Sequence, residues 1–76
     1  MKELVEFVAK SLVDDADAVS IRTHERDPAT IIELEVAPND LGKVIGRQGR
    51  TARAIRTLLT AAGQKSRRRY ILDILD

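Results

Sequence analysis

The stretch Val44-Ile45-Gly46-Arg47-Gln48-Gly49-Arg50 decides the fold, because two glycines enclose a polar pair between two segments of helical character. Upstream, Leu41, Val44 and Ile45 give a short apolar face that begins after Pro38. Downstream, Ile55, Leu58, Leu59 and Ala62 form a core stripe at helical spacing from about Arg50 to Ala62, with Gly63 expected at the C′ position that ends a helix. The glycines therefore sit in an elbow between two helices. Glycine tolerates positive φ and lets a backbone approach a ligand closely. The first amides of the following helix are unpaired donors at the positive end of its dipole. Such an elbow suits an anion.

Working outward toward the N-terminus, Pro38 stops a strand, and Asn39 or Asp40 is placed to cap the short helix by accepting from a first-turn amide. Thr30 to Val36 alternates, with Ile32, Leu34 and Val36 inward and Glu33 and Glu35 outward. Ala18 to Arg26 alternates in the same way, and Asp27 with Pro28 turns the chain between them, so the two runs read as an antiparallel hairpin. His24 lies on the polar face of the first strand with no second ligand or nucleophile, which makes it an exposed strand residue rather than a base. Leu4, Val5, Val8 and Leu12, with Phe7 on the same core stripe, form an amphipathic helix that should end near Val13. Asp14, Asp15 and Asp17 are disfavoured at a helix C-terminus and belong to the loop that follows. Their spacing lacks the glycine and distal glutamate of a calcium loop, so no metal site is expected.

Toward the C-terminus, Gln64 to Arg67 make a basic loop, and Arg68 to Leu75 alternates as a third strand. The order helix, strand, strand, helix, helix, strand contains no internal repeat and no dividing linker. One α+β domain over residues 1–76 is expected, with a three-stranded sheet and its helices on one face.

Composition narrows the function. A chain of 76 residues builds one small core and no enclosed substrate chamber, which favours work done at the surface. There is no apolar run near membrane-spanning length and no signal-peptide pattern at the N-terminus, so the chain reads as soluble and cytoplasmic. The absence of cysteine excludes a disulfide framework, a thiolate zinc site and a cysteine nucleophile. The net charge of +1 hides an asymmetry: residues 1–40 carry four Lys/Arg against ten Asp/Glu, and residues 41–76 carry nine against two. The elbow lies in the basic part.

Spacing tests the phosphate-binding alternatives. A Walker A loop ends in Gly-Lys-Ser/Thr, but Gly42-Lys43 is followed by Val44. A Rossmann fingerprint needs a glycine two residues before Gly46, where Val44 stands, inside a βαβ unit. What remains is Gly-Xaa-Xaa-Gly between two helices flanked by strands. Val44 to Arg50 followed by Ile55 resembles the KH motif, and the element order α-β-β-α-α-β resembles the type II form of that fold. The chain length and the run Gly49-Arg50-Thr51-Ala52-Arg53-Ala54-Ile55-Arg56 further resemble the small stand-alone bacterial KH proteins of the KhpA (YlqC-like) group.

The resemblance implies single-stranded RNA held in a groove, its backbone clamped by the loop. Carried onto this chain, the RNA-binding residues are Lys43, Val44, Ile45, Gly46, Arg47, Gln48, Gly49, Arg50 and Arg53. Gly46 and Gly49 permit approach, Arg47 and Gln48 hold the backbone, and Lys43 and Arg50 add charge at the rim. Arg offers a fork of donors matched to phosphate oxygens, and Gln48 donates without adding charge. Of Arg53 and Arg56, which step around the second helix, at most one is expected at the groove. Apolar groove walls are expected from Val44, Ile45 and the hairpin strand near Ile32 and Leu34. With Phe7 in the core and Tyr70 far along the chain, no stacking platform is foreseen.

The reading is a non-enzymatic RNA-binding protein, a post-transcriptional regulator or RNA chaperone without cofactor or membrane partner. As the resemblance implies, it acts as a homodimer or with a second KH-containing protein. Ala52, Ala54 and Ala61 on the second helix offer a small-residue surface for self-association. The rival is a protein-interaction or scaffold module that keeps the fold without RNA. An enzyme lacks a nucleophile with its base, a metal cluster or a deep pocket.

Overall fold

The computed structural model describes all 76 residues. Three helices, α1 (Lys2–Leu12), α2 (Leu41–Ile45) and α3 (Arg50–Ser66), accompany three strands, β1 (Ser20–Arg26), β2 (Ala29–Glu35) and β3 (Arg69–Ile74). Single 3-10 turns occupy Ala16–Ala18, Pro38–Asp40 and Arg47–Gly49. The strands lie in the order β1-β2-β3, so β2 is central. β1 and β2 pair antiparallel across the Asp27-Pro28 turn, with Ile21 opposite Leu34 and Thr23 opposite Ile32. β3 runs parallel to β2, with Leu72 opposite Ile32. Parallel neighbours cannot be joined by a tight turn. The crossover from β2 to β3 is therefore α2, the glycine elbow and α3, and the loop hangs at the corner of that crossover.

Alternation fixes which face of the sheet the helices cover. Ile32 and Leu34 are fully buried and Val36 nearly so, while Glu35 is exposed. Against them pack Val5 and Ala9 of α1, Val44 of α2, Ile55 and Leu59 of α3, and Leu72 of β3. The inward set on β2 is the one its period-two pattern dictates.

Several expectations at the edges of this core need correction. Phe7 is 72% exposed, because Val5 and Ala9 are the residues of α1 that face the sheet, and Phe7 lies two residues, or about 200°, around the helix from Val5. Leu58 is 52% exposed for a similar reason: its neighbour Leu59 takes the buried position, flanked by Ala52, Ile55 and Gly63. Ala52 therefore belongs to the core, and only Ala54 and Ala61 remain exposed.

Gly63 does not end α3. The helix runs on to Ser66, and Arg67 takes the left-handed closing conformation with φ 57° and ψ 34°. Gly63 serves another need. A Cβ there would lie 2.2 Å from the carbonyl oxygen of Arg68, and the Gly63 carbonyl accepts from the Arg68 amide at 2.8 Å. The chain entering β3 presses directly on this residue.

That contact reverses an ordinary sign. Gly to Ala inside a helix stabilises by about 1 kcal/mol. Gly63→Ala should instead destabilise by about 1–3 kcal/mol, the usual range for overpacking, read as a lower urea midpoint with unchanged slope. A more stable variant would show that the α3 to β3 junction can move aside.

Candidate nucleic-acid interface

The elbow is built from three unusual backbone conformations in four residues. The Gly46 amide closes α2 by donating to the Gly42 carbonyl at 2.8 Å, and Gly46 itself has φ 77° and ψ 170°. Gln48 (φ 57°, ψ 27°) and Gly49 (φ 74°, ψ 14°) are both left-handed, and the Gly49 amide donates to the Gly46 carbonyl at 3.0 Å. α3 then begins at Arg50. Its N-cap is Gly49, which has no side-chain acceptor, so the first-turn donors are left to an incoming anion.

The two glycines do different work. A Cβ at Gly46 would meet Thr51 Oγ1 at 2.2 Å and the Thr51 amide nitrogen at 2.8 Å, so Thr51 fills the space where a side chain would be. At Gly49 nothing lies within 4 Å of a built Cβ. Gly46 therefore seats the loop on α3, and Gly49 leaves it open to a ligand.

Arg47, Gln48 and Arg50 are exposed around this opening. One Arg50 guanidinium nitrogen donates to Gln48 Oε1 at 3.4 Å, which fixes the Gln48 oxygen and leaves its amide group to donate outward. No carboxylate lies within 4.0 Å of Arg47, Arg50, Arg53 or Arg56, so their charge is available.

The other expected site residues are placed differently. Val44 is fully buried and Ile45 half-buried; Val44 supports the loop from beneath and cannot touch a ligand. Ile32 and Leu34, expected as groove walls, are fully buried under the helices and form no wall. Lys43 donates to Asp14 Oδ2 and lies 3.3 Å from Asp40 Oδ1, so its charge is already engaged. Asp40 caps no helix. Its carboxylate, 4% exposed, accepts from the amides of Asp14 (3.2 Å) and Asp15 (3.1 Å) in the loop after α1. The Asp15 amide, joined by the Asp14 amide and the Lys43 ammonium, holds the Asp40 carboxyl below the ordinary carboxylate range against the opposing effect of burial. The bonds to Asp14 and then Asp40 push the Lys43 ammonium up.

A cleft of about 650 Å³ opens between α3 and β3. Arg56, Arg67, Arg68, Arg69 and the half-buried Tyr70 line it, with Pro28 at its margin. Only Arg68 has a carboxylate partner, Glu25 at 3.8 Å. Of the two arginines on α3, Arg56 faces this cleft and Arg53 does not line it. The basic triplet and the tyrosine beside it were visible in the sequence. What was missing was the parallel placement of β3, which returns them along α3 and puts an aromatic ring within the cleft.

The elbow, with helices on both sides and a mixed three-stranded sheet behind it, is the architecture of a KH fold. The KhpA/KhpB KH-domain family matches the chain over residues 2–74. The chain belongs to this family. It is similar to "RNA-binding protein KhpA" of Borreliella burgdorferi, 55% identical over 97% of this chain and 90% of the relative. The protein of that name from Aquifex aeolicus is 51% identical over 100% of this chain and 96% of its own length. The one from Caldanaerobacter subterraneus subsp. tengcongensis is 53% identical over 99% and 100%. Each match covers at least nine-tenths of the relative's own length.

The unequal roles of the glycines predict unequal costs. Gly46 sits in a region essentially confined to glycine, where another residue costs roughly 1–3 kcal/mol before any clash. Gly49→Ala should cost about 1 kcal/mol, the left-handed penalty alone. Denaturant unfolding of Gly46→Ala and Gly49→Ala should rank them in that order; equal losses would show that Thr51 does not seat Gly46.

Proposed function

We propose that this KH protein is a non-enzymatic RNA-binding protein that holds single-stranded RNA at the Gly46 to Gly49 loop, acting in the cytoplasm as a post-transcriptional regulator or RNA chaperone. The observation that carries the reading is the open loop itself: an uncapped helix start, an unfilled Gly49 and two unpaired arginines, Arg47 and Arg50, converge on one spot. The names of the relatives support the nature of the ligand. In this reading the RNA backbone crosses the loop and the strand continues along α3 to the arginine-lined cleft. Arg56 lies six residues into a helix that rises about 1.5 Å per residue, so the cleft begins about 9 Å from the loop. Arg53 contributes charge from the exposed side of α3.

If three or four phosphates are contacted, log Kobs should fall with log salt at a slope of about −2 to −3, since each single-strand phosphate contributes roughly −0.7. Arg47→Asp with Gln48→Asp places two negative charges where a phosphate would lie, at exposed positions away from the core. That double variant should keep its unfolding midpoint and lose most RNA affinity in fluorescence anisotropy. Unchanged affinity in the double variant would move the RNA site away from the loop, tight binding insensitive to salt would sink its electrostatic part, and a wild type that binds no RNA would favour the rival protein-interaction module.

We further propose that the protein works as a homodimer or with a second KH-containing protein. Leu58, half-exposed between Ala54 and Ala61 along one stripe of α3, supports this, because small residues let a second helix approach closely around one large apolar knob. Phe7 offers a further apolar surface on α1. Sedimentation at micromolar concentration should show a dimer that Leu58→Glu converts to monomer; a wild-type monomer across that range would sink the homodimer.

A further inference from the structure

We propose that Asp40 and Lys43 are positioning residues for the Gly46 to Gly49 loop, with Asp40 bolting α2 to the end of α1 and Lys43 completing that bolt instead of binding phosphate. The inference rests on the RNA-binding reading for its functional consequence, but its structural part stands on α2 alone.

α2 has only five residues, far below the length at which an isolated helix holds its shape in water. Its one fully buried side chain is Val44. Leu41 and Ile45 pack against the core only partly buried, so apolar contact fixes the depth of this short helix more firmly than its position along its own axis. A directional tie at the start of α2 adds what these contacts lack, and Asp40 is the only buried ionisable side chain in the protein.

A buried carboxylate is tolerated only when its oxygens are satisfied. Both are: Oδ1 accepts from the Asp14 amide and Oδ2 from the Asp15 amide, 26 and 25 residues away in sequence. Those amides lie just beyond the end of α1, so the bonds join the first helix to the residue that precedes α2. Lys43, three residues on, then spans Asp40 and Asp14 together. The loop begins at Gly46, three residues after Lys43, and a tilt of α2 would carry Gly46 away from Thr51.

The same geometry argues against Lys43 as a phosphate contact. Asp14, Asp40 and Lys43 together carry a net charge of −1, and Asp15 and Asp17 lie in the same loop. A phosphate approaching the Lys43 ammonium would have to displace two carboxylates, one of them buried and held by amides. Arg47 and Arg50, with no carboxylate partner, present no such barrier.

Two readouts separate a positioning role from a phosphate ligand. The first is the salt dependence of binding to a fluorescein-labelled, random-sequence single-stranded RNA 12-mer, for the wild type, Lys43→Gln, Asp40→Asn and the benchmark Arg50→Gln. Lys43→Gln and Asp40→Asn should weaken binding roughly 2- to 30-fold at every salt concentration, the size of effect seen for residues that act through others, with the slope unchanged. Arg50→Gln should flatten the slope by about 0.7. The second is amide hydrogen exchange in the free protein, where Lys43→Gln should speed exchange at Gly46 and Gly49. The Lys43 side chain is 43% exposed and outside the core, so this variant folds even where Asp40→Asn does not. A slope flattened by about 0.7 in Lys43→Gln, with exchange unchanged, would make Lys43 a phosphate ligand and overturn the proposal. Failure of the wild type to bind RNA would overturn the RNA reading instead, and the exchange measurement would still decide the positioning role.

Discussion

The structure depends on a place where a side chain has no room. Gly46 must turn out of α2 at positive φ with Thr51 of α3 lying where its Cβ would be, and everything around the loop follows from that contact. Because Thr51 belongs to the first turn of α3, seating Gly46 on it aims the start of the long helix back toward α2. Gln48 and Gly49 then have to be left-handed to close the turn within four residues. The opening at Gly49 is thus a by-product of tight packing at Gly46. A loop that held both glycines open would be free to collapse; this one has a fixed side and an open side.

The second constraint is electrostatic: the topology gathers part of the acidic half where α1 meets α2 and most of the basic half along α3, with Glu25 the acid that reaches Arg68 at the cleft. The acidic residues of the first 40 positions include Asp14, Asp15 and Asp40, gathered where α1 ends and α2 begins. The basic residues of the remainder flank the loop and follow α3 to the start of β3. In the proposed reading a polyanion at the loop would meet negative charge on one side and arginines on the other, and charge would set its direction before any base is read.

Much of this was legible in the sequence, for identifiable reasons. Element order, the glycine elbow and the inward set Ile32, Leu34 and Val36 follow from periods of two and 3.6 that no alternative pattern imitates. What escaped was decided by partners far away in the chain. Leu58 and Leu59 are consecutive and equally apolar, so spacing alone does not say which lies at the centre of a stripe and which at its edge. Phe7 failed in the same way: a three-stranded sheet gives a helix only a narrow strip to cover, and Val5 with Ala9 fill it. Asp40 stood where a helix cap is expected, yet its acceptors serve amides 25 and 26 residues away. Gly63 looks like a helix end in the sequence because the carbonyl that needs its space belongs to Arg68, beyond the end of α3.

Magnitudes bear on the cleft at the far end of α3. Basic residues at a helix C-terminus are ordinarily explained by its dipole, which amounts to about half a negative charge. Lys65, Arg67, Arg68 and Arg69 bring four positive charges to that end, and Glu25 answers one of them. The excess is larger than the helix can use. Arg67, Arg68 and Arg69 of that excess line a cleft together with the half-buried Tyr70, and an aromatic ring is a surface on which any base can stack. In the proposed reading the loop, which offers amides, Arg47 and Gln48, is suited to a phosphate backbone and blind to sequence. Discrimination among bases would then have to arise along α3, where Arg56 and Tyr70 line the same cleft. Affinity and selectivity would reside at opposite ends of one helix, linked by the seventeen residues from Arg50 to Ser66.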